Sequence, residues 1–148
     1  MPPTTAPDFF HRFTSGTTQV RCTLDQARVA LRAARIDGAT CDTSQIILGE
    51  VLNNVVEHAY RCEEGHPIEL SIWFDDAGLW CNVHDQGAPM PGGVPPEGRG
   101  ASIDASDRGG LPEGGFGWAM VHALTQDLQY LRVDGCNDLA FLIPASHP

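Results

Sequence analysis

The sequence has no lysine: all nine basic residues are arginine, set against 19 acidic ones, for a formal net charge of −10. A lysine-dependent phosphate loop and a Schiff-base mechanism are therefore excluded. The charge balance also argues against a nucleic-acid partner, because such complexes depend on basic side chains neutralising phosphates. A basic protein partner is compatible with it. Any bound polyphosphate would have to be neutralised by Mg²⁺ and backbone N–H groups more than by side-chain cations. Long apolar runs are missing as well. No segment approaches the roughly 18 consecutive apolar residues of a membrane span, and MPPTTAPDFF lacks the basic and apolar regions of a secretory signal. No membrane association is expected, and the location expected is the cytoplasm. The five cysteines, Cys22, Cys41, Cys62, Cys81 and Cys136, are odd in number and contain no C-x-x-C pair. They predict reduced core thiols, not disulfides or a zinc site.

What is present suits one domain with a real core: 148 residues, 42% of them hydrophobic and 19% charged. Residues 1–8 read as a flexible tail and 9–148 as a single domain. Phe9–Cys22 alternates weakly, enough for one or two strands around a Ser15-Gly16 turn. Thr23–Ile36 reads as a helix with an apolar stripe of Leu24, Ala27, Leu31 and Ala34, stopped by Asp37-Gly38. A second helix is expected from Asp42, where Asp42 and Gln45 match a capping box, to about Tyr60. Ile68, Leu70, Ile72 and Phe74 then switch to period two, and Asp76-Ala77-Gly78 turns the chain into Leu79–His84, an antiparallel hairpin. A third helix is expected from Gly117 to Thr125 or Asp127. Leu128–Val133 and Asp138–Ile143 form a last hairpin around Asp134-Gly135. The sum is an α+β two-layer sandwich, a mostly antiparallel sheet with helices on one face.

Three local signals carry chemistry. On the second helix, Glu50 and Asn54 are neighbours four residues apart on the face opposite Leu48, Val51, Leu52, Val55 and Ala59. A carboxylate and an amide one turn apart suit Mg²⁺ or an activated hydroxyl, or they are simply a polar surface face. Asp85-Gln86-Gly87 stands where a buried strand ends. There Asp85 can accept from a ligand's exocyclic amine and Gly87 permits close backbone approach or a sharp turn. Gly114-Gly115-Phe116-Gly117 runs into a helix, and a helix N-terminus favours phosphate. Between the second and third signals lies a long segment without periodicity, about residues 86–114, rich in Pro and Gly, as expected of a functional lid.

The order and spacing of these motifs resemble the GHKL (histidine-kinase-like) ATPase superfamily with its Bergerat fold, over about Phe9–Pro144. Glu50–Tyr60 looks like the N-box, Asp85-x-Gly87 the first glycine box, and Gly115-x-Gly117 the second, with an ATP lid between the glycine boxes. The form E-x-x-x-N-x-x-x-H-A-Y resembles the anti-sigma-factor serine/threonine kinases of bacterial partner-switching systems, and the ending Asn137-Asp138-Leu139-Ala140-Phe141 fits their final strand.

The resemblance implies ATP and Mg²⁺ as cofactors. Asn54 would coordinate the Mg²⁺ and Glu50 would act as general base on an attacking serine hydroxyl. Asp85 would hold the adenine amine, while Gly87, Gly115 and Gly117 would allow close contact with the nucleotide. Thr125 and His58 would fall near the pocket, with Asn53 at its edge. Arg108 or Arg99 of the lid would reach the γ-phosphate. The implied function is an ATP-dependent kinase that binds a sigma factor and phosphorylates a small antagonist protein, with a homodimer suggested. The segment ahead of Gly115 carries no adjacent basic residue. A nucleotide-dependent binding module with little kinase activity, or a detached histidine-kinase catalytic domain, are the alternatives. Against the second, no dimerising helical hairpin with an exposed acceptor histidine is found.

Overall fold

The computed structural model describes residues 1–97 and 115–146, with the backbone alone at 115 and 116. Five strands form one antiparallel sheet: β1 (Phe9–Thr14), β2 (Pro67–Asp75), β3 (Gly78–Asp85), β4 (Gln126–Val133) and β5 (Cys136–Pro144), in the order β1-β2-β3-β5-β4. Three α-helices are present among the described residues: α1 (Thr17–Ala33), α2 (Gly38–Asn54) and α3 (Gly115–Leu124). A π-helical turn, Val55–Ala59, extends α2. The α+β sandwich expected from the sequence is the architecture found.

Period-two patterning fixes the inner face of the sheet. Leu79, Cys81 and Val83 of β3 stand in register with Ile143, Phe141 and Leu139 of β5, and all six are buried. Ile68, Leu70 and Ile72 extend that face onto β2. Cross-strand neighbours on one face act as a unit, and this unit is covered by Ile47, Leu48, Val51, Leu52 and Val55 of the second helix and its extension. Each such side chain contributes about 1.5–3 kcal/mol when fully buried. α2 packs against both α1 and α3.

Several boundaries differ from expectation. α1 starts at Thr17, not Thr23, and no second strand follows β1. Thr17 and Thr18 are β-branched and read as strand, yet Val20, Thr23, Ala27 and Leu31 make one buried stripe, and the Thr23 hydroxyl donates to the Gln19 carbonyl at 2.8 Å. Asp37-Gly38 is a start and not a stop: the Asp37 carboxylate caps α2 by accepting from Thr40 N at 2.9 Å and from its hydroxyl at 2.7 Å. α1 itself ends at a left-handed Arg35 (φ 63°), with Ile36 N donating to Leu31 O. Gln45, expected in a capping box, instead donates to the Leu24 carbonyl of α1 at 3.1 Å. All five cysteines are free, but only Cys41 and Cys81 are buried, while Cys22 and Cys62 are exposed. Residues expected as a tail touch β2: the Thr5 carbonyl accepts from Trp73 Nε1 and Asp8 accepts from Phe74 N. No helix among the described residues is long and apolar enough to cross a membrane.

Candidate functional site

The site begins where α2 changes hydrogen-bond pattern. After Asn54 the ladder widens, Tyr60 N donates to Val55 O at 2.9 Å, and left-handed Arg61 and Cys62 close the helix. Such π-turns concentrate at functional sites because they re-aim side chains and free carbonyls. Here the Ala59 carbonyl accepts from Ala88 N at 2.8 Å, and the Tyr60 hydroxyl donates to Pro67 O at 2.6 Å while accepting from Gln86 N at 2.7 Å. Residues 86–88, just past β3, are thereby pinned to the helix end. Gly87 is required by this contact: a β-carbon would lie 2.5 Å from the Ala59 carbonyl oxygen and 2.7 Å from its carbon. The close approach is to the protein's own backbone.

Asp85, the last residue of β3, is 4% exposed. Its Oδ1 accepts from Gly87 N and from Asn137 Nδ2, each at 2.8 Å. No described residue donates to Oδ2. Burial pushes the carboxyl above the ordinary carboxylate value, opposed by the hydrogen bonds from Asn137 and Gly87 and by the nearby His84 and Arg132 charges. Asn137, on β5 in register with Asp85, is equally buried. Its Nδ2 also donates to Ala88 O at 2.9 Å, and its Oδ1 accepts from the Tyr130 hydroxyl and from Arg132 at 3.0 Å.

Asn137, Tyr130 and Arg132 were not singled out from the sequence as site residues. An asparagine among alternating apolar residues on β5 is the available signal, but its partner depends on β3–β5 pairing across an intervening helix and strand, which local pattern does not reveal.

Asp85 and Asn54 line a cavity of about 480 Å³, within the range of about 300–1,000 Å³ for small-molecule sites. Val51, Val55, Val83, Leu139 and Trp118 supply apolar walls; Asn54, Asp85 and Asn137 supply the polar points. His58 lines it too, and so does Arg61, a cation that sequence reasoning did not select. Glu50, one turn before Asn54, is half-buried and, like Gly87 and Gly117, is not itself a lining residue of the cavity. Its carboxylate lies against Gly117, where a β-carbon would overlap it. α3 starts at Gly115, two residues earlier than expected, so Gly115 and Gly117 belong to the helix's first turn, where the dipole favours negative charge. Thr125 is not a lining residue; its hydroxyl turns back onto the Val121 carbonyl at 2.6 Å. Asn53 is exposed. Arg99, Arg108 and Gly114 lie outside the described residues.

The lining suits an adenine nucleotide: mainly apolar side chains, with the Asp85 carboxylate and the Asn54 and Asn137 amides among them. Among the described residues no group of three His, Cys, Asp or Glu could hold a metal ion.

The family model for the histidine kinase-like ATPase domain matches residues 13–143. The chain belongs to that family. ATP binding is what a histidine kinase-like ATPase domain implies, and the cavity chemistry agrees with it. No curated protein matches the sequence. Among solved structures, the RsbU and RsbW domains of Rv1364c from Mycobacterium tuberculosis resemble this histidine kinase-like domain with a TM-score of 0.60 and 17% identity, over 95% of this chain and 33% of that one. At that identity the likeness is one of fold, and this chain spans about a third of the length of the other.

Proposed function

We propose that this histidine kinase-like domain is an ATP-dependent protein serine/threonine kinase of the anti-sigma type, which phosphorylates a small antagonist protein and holds a sigma factor according to the antagonist's state. The reading rests on one contact: the Glu50 carboxylate against Gly117 in the first turn of α3, one helical turn from Asn54. A carboxylate at that place is suited to take the proton from an incoming serine hydroxyl as its oxygen bonds to the γ-phosphorus. The bond from that phosphorus to the ADP bridging oxygen breaks, and its electron pair leaves with ADP. Asp85 would receive the adenine amine on Oδ2. Asn54 would be the protein ligand of Mg²⁺, which supplies charge neutralisation at the phosphates. In a chain without lysine that neutralisation falls to the ion, the α3 N-terminus and arginine.

The test is purified protein with Mg²⁺-ATP and its candidate antagonist. Glu50→Gln is expected to keep nucleotide affinity and to lower phosphoserine formation by about 10²–10⁴-fold. If Glu50→Gln transfers phosphate as fast as wild type, the general-base assignment is wrong.

One observation favours a second reading, a nucleotide-dependent binding module without useful kinase activity. Among the described lining residues Arg61 is the one arginine, placed just after the π-turn, while Arg132 is spent on the Gly87 carbonyl and Asn137 Oδ1 behind Asp85. ATP-dependent partner capture with no phosphoserine product would select that reading.

A further inference from the structure

We propose that Asn137 is the positioning residue of the base pocket, holding Asp85 so that its second carboxylate oxygen selects a base with an exocyclic amine over one with a carbonyl there. The inference rests on the adenine-nucleotide reading of the cavity and goes beyond it by assigning selectivity to β5.

The orientation of the Asn137 amide follows from its neighbours. Two donors, the Tyr130 hydroxyl and Arg132, meet Oδ1; two acceptors, Asp85 Oδ1 and the Ala88 carbonyl, meet Nδ2. Reversing the amide would set donor against donor at Arg132 and acceptor against acceptor at Asp85 and Ala88, with only the Tyr130 hydroxyl able to adapt, so one orientation satisfies the network. Asp85 Oδ1 is consumed by Asn137 and Gly87 N, and Oδ2 is the remaining acceptor. The same strands fix the wall beside it: Tyr130 accepts from Met90 N at 3.0 Å, and Arg132 donates to the Gly87 carbonyl. With Oδ1 held by two donors, the ionised carboxylate is fixed in place and presents Oδ2 as an acceptor only. A base offering a carbonyl there would leave two acceptors facing each other, and sites of this kind reject such analogues strongly because the buried group stays unpaired.

Asn137→Asp is nearly isosteric and keeps the acceptors for Tyr130 and Arg132, but it places a second carboxylate opposite Asp85. Two carboxylates that close share one proton, and that proton replaces the missing donor only while it is bound. Tyr60, His84, Tyr130, Arg132, Cys136 and Asp138 are titratable or charged groups around the pair, and His58 and Arg61 line the same cavity. ATP and ITP affinities are measured by calorimetry from mildly acid to mildly alkaline pH.

Wild type is expected to prefer ATP over ITP by at least about tenfold at neutral and alkaline pH, where Asp85 is ionised. Asn137→Asp is expected to lose at least about tenfold in ATP affinity at alkaline pH and to regain it as pH falls. Tyr130→Phe is expected to narrow the ATP/ITP ratio by a smaller factor. Melting without nucleotide checks that each variant is folded; should Asn137→Asp not fold, Tyr130→Phe decides, and a ratio equal to wild type overturns the role of Asn137. An alkaline ATP/ITP ratio unchanged in folded Asn137→Asp overturns it equally. Wild type that binds neither nucleotide overturns the adenine reading of the cavity itself.

Discussion

The α-carbon of Gly117 lies against the carboxylate of Glu50, so close that a β-carbon would overlap Oε2 and Cδ. Glycine within a helix costs about 0.5–1 kcal/mol relative to alanine. Gly117 is therefore a poor helix residue in a place where the helix must come up against the proposed base. Gly117→Ala should not give the usual gain from a better helix former. Either Glu50 is pushed out of line or α3 withdraws. Phosphate transfer is expected to fall by at least about tenfold, the order of effect of a misplaced catalytic group, with ATP affinity less affected. Stopped transfer assays beside equilibrium ATP titration separate the two effects. A variant that melts higher than wild type and transfers phosphate normally would show that the contact has slack.

Asp85→Asn should divide stability from binding. Burial raises the Asp85 carboxyl above its ordinary value, so the folded protein holds that proton more tightly than the unfolded chain does. Between the ordinary value and the raised one the native state binds more protons, and stability falls as pH rises through that window. The ionised group is thus a cost to the fold at neutral pH. Asparagine removes the cost and can keep both acceptor bonds at Oδ1, from Gly87 N and Asn137. It also turns an amide N–H₂ toward the ligand's amine. The expected outcome at neutral pH is a melting temperature equal to or above that of wild type, with ATP binding lost. For wild type, ATP affinity should weaken as pH falls into the acid range. A large drop in the variant's melting temperature would contradict the burial argument.

The two strand hairpins and the N-box helix were legible because their signals are local. Ile68, Leu70 and Ile72 alternate, Leu48, Val51, Leu52 and Val55 recur at helical spacing, and Asp134-Gly135 marks a turn. Asn54 and Asp85, chosen from such local motifs, do line one cavity. The misread boundaries had competing local chemistry: Asp37 can end one helix or cap the next, and Thr17-Thr18 suits strand until Val20 and Thr23 turn inward. The support behind Asp85 was not legible. Asn137, Tyr130 and Arg132 reach it only through sheet order, and Arg61 enters the cavity only because a π-turn and a left-handed residue redirect the chain.

Tyr60 is the joint between the helix end and the strands, and Tyr60→Phe tests how much that joint contributes. The side chain is 6% exposed, its ring stacks on His66 at 4.8 Å, and its hydroxyl bridges Pro67 O and Gln86 N. Burial raises the hydroxyl above its ordinary value, so it remains a donor throughout the neutral range. Phenylalanine keeps the packing but leaves a carbonyl at the start of β2 and an amide after β3 without this partner. Such losses cost about 1–3 kcal/mol each where the group is buried. Pro67 is half-buried and Gln86 exposed, so water replaces part of the loss; a total of about 1–3 kcal/mol would lower Tm by roughly 3–12 °C in a domain of this size. Because Gln86 precedes the Gly87–Ala59 contact, ATP affinity should fall with stability, and exchange of the Gln86 amide should quicken. Unchanged Tm together with unchanged Gln86 protection would mean that Ala88 N to Ala59 O alone holds the segment against the helix.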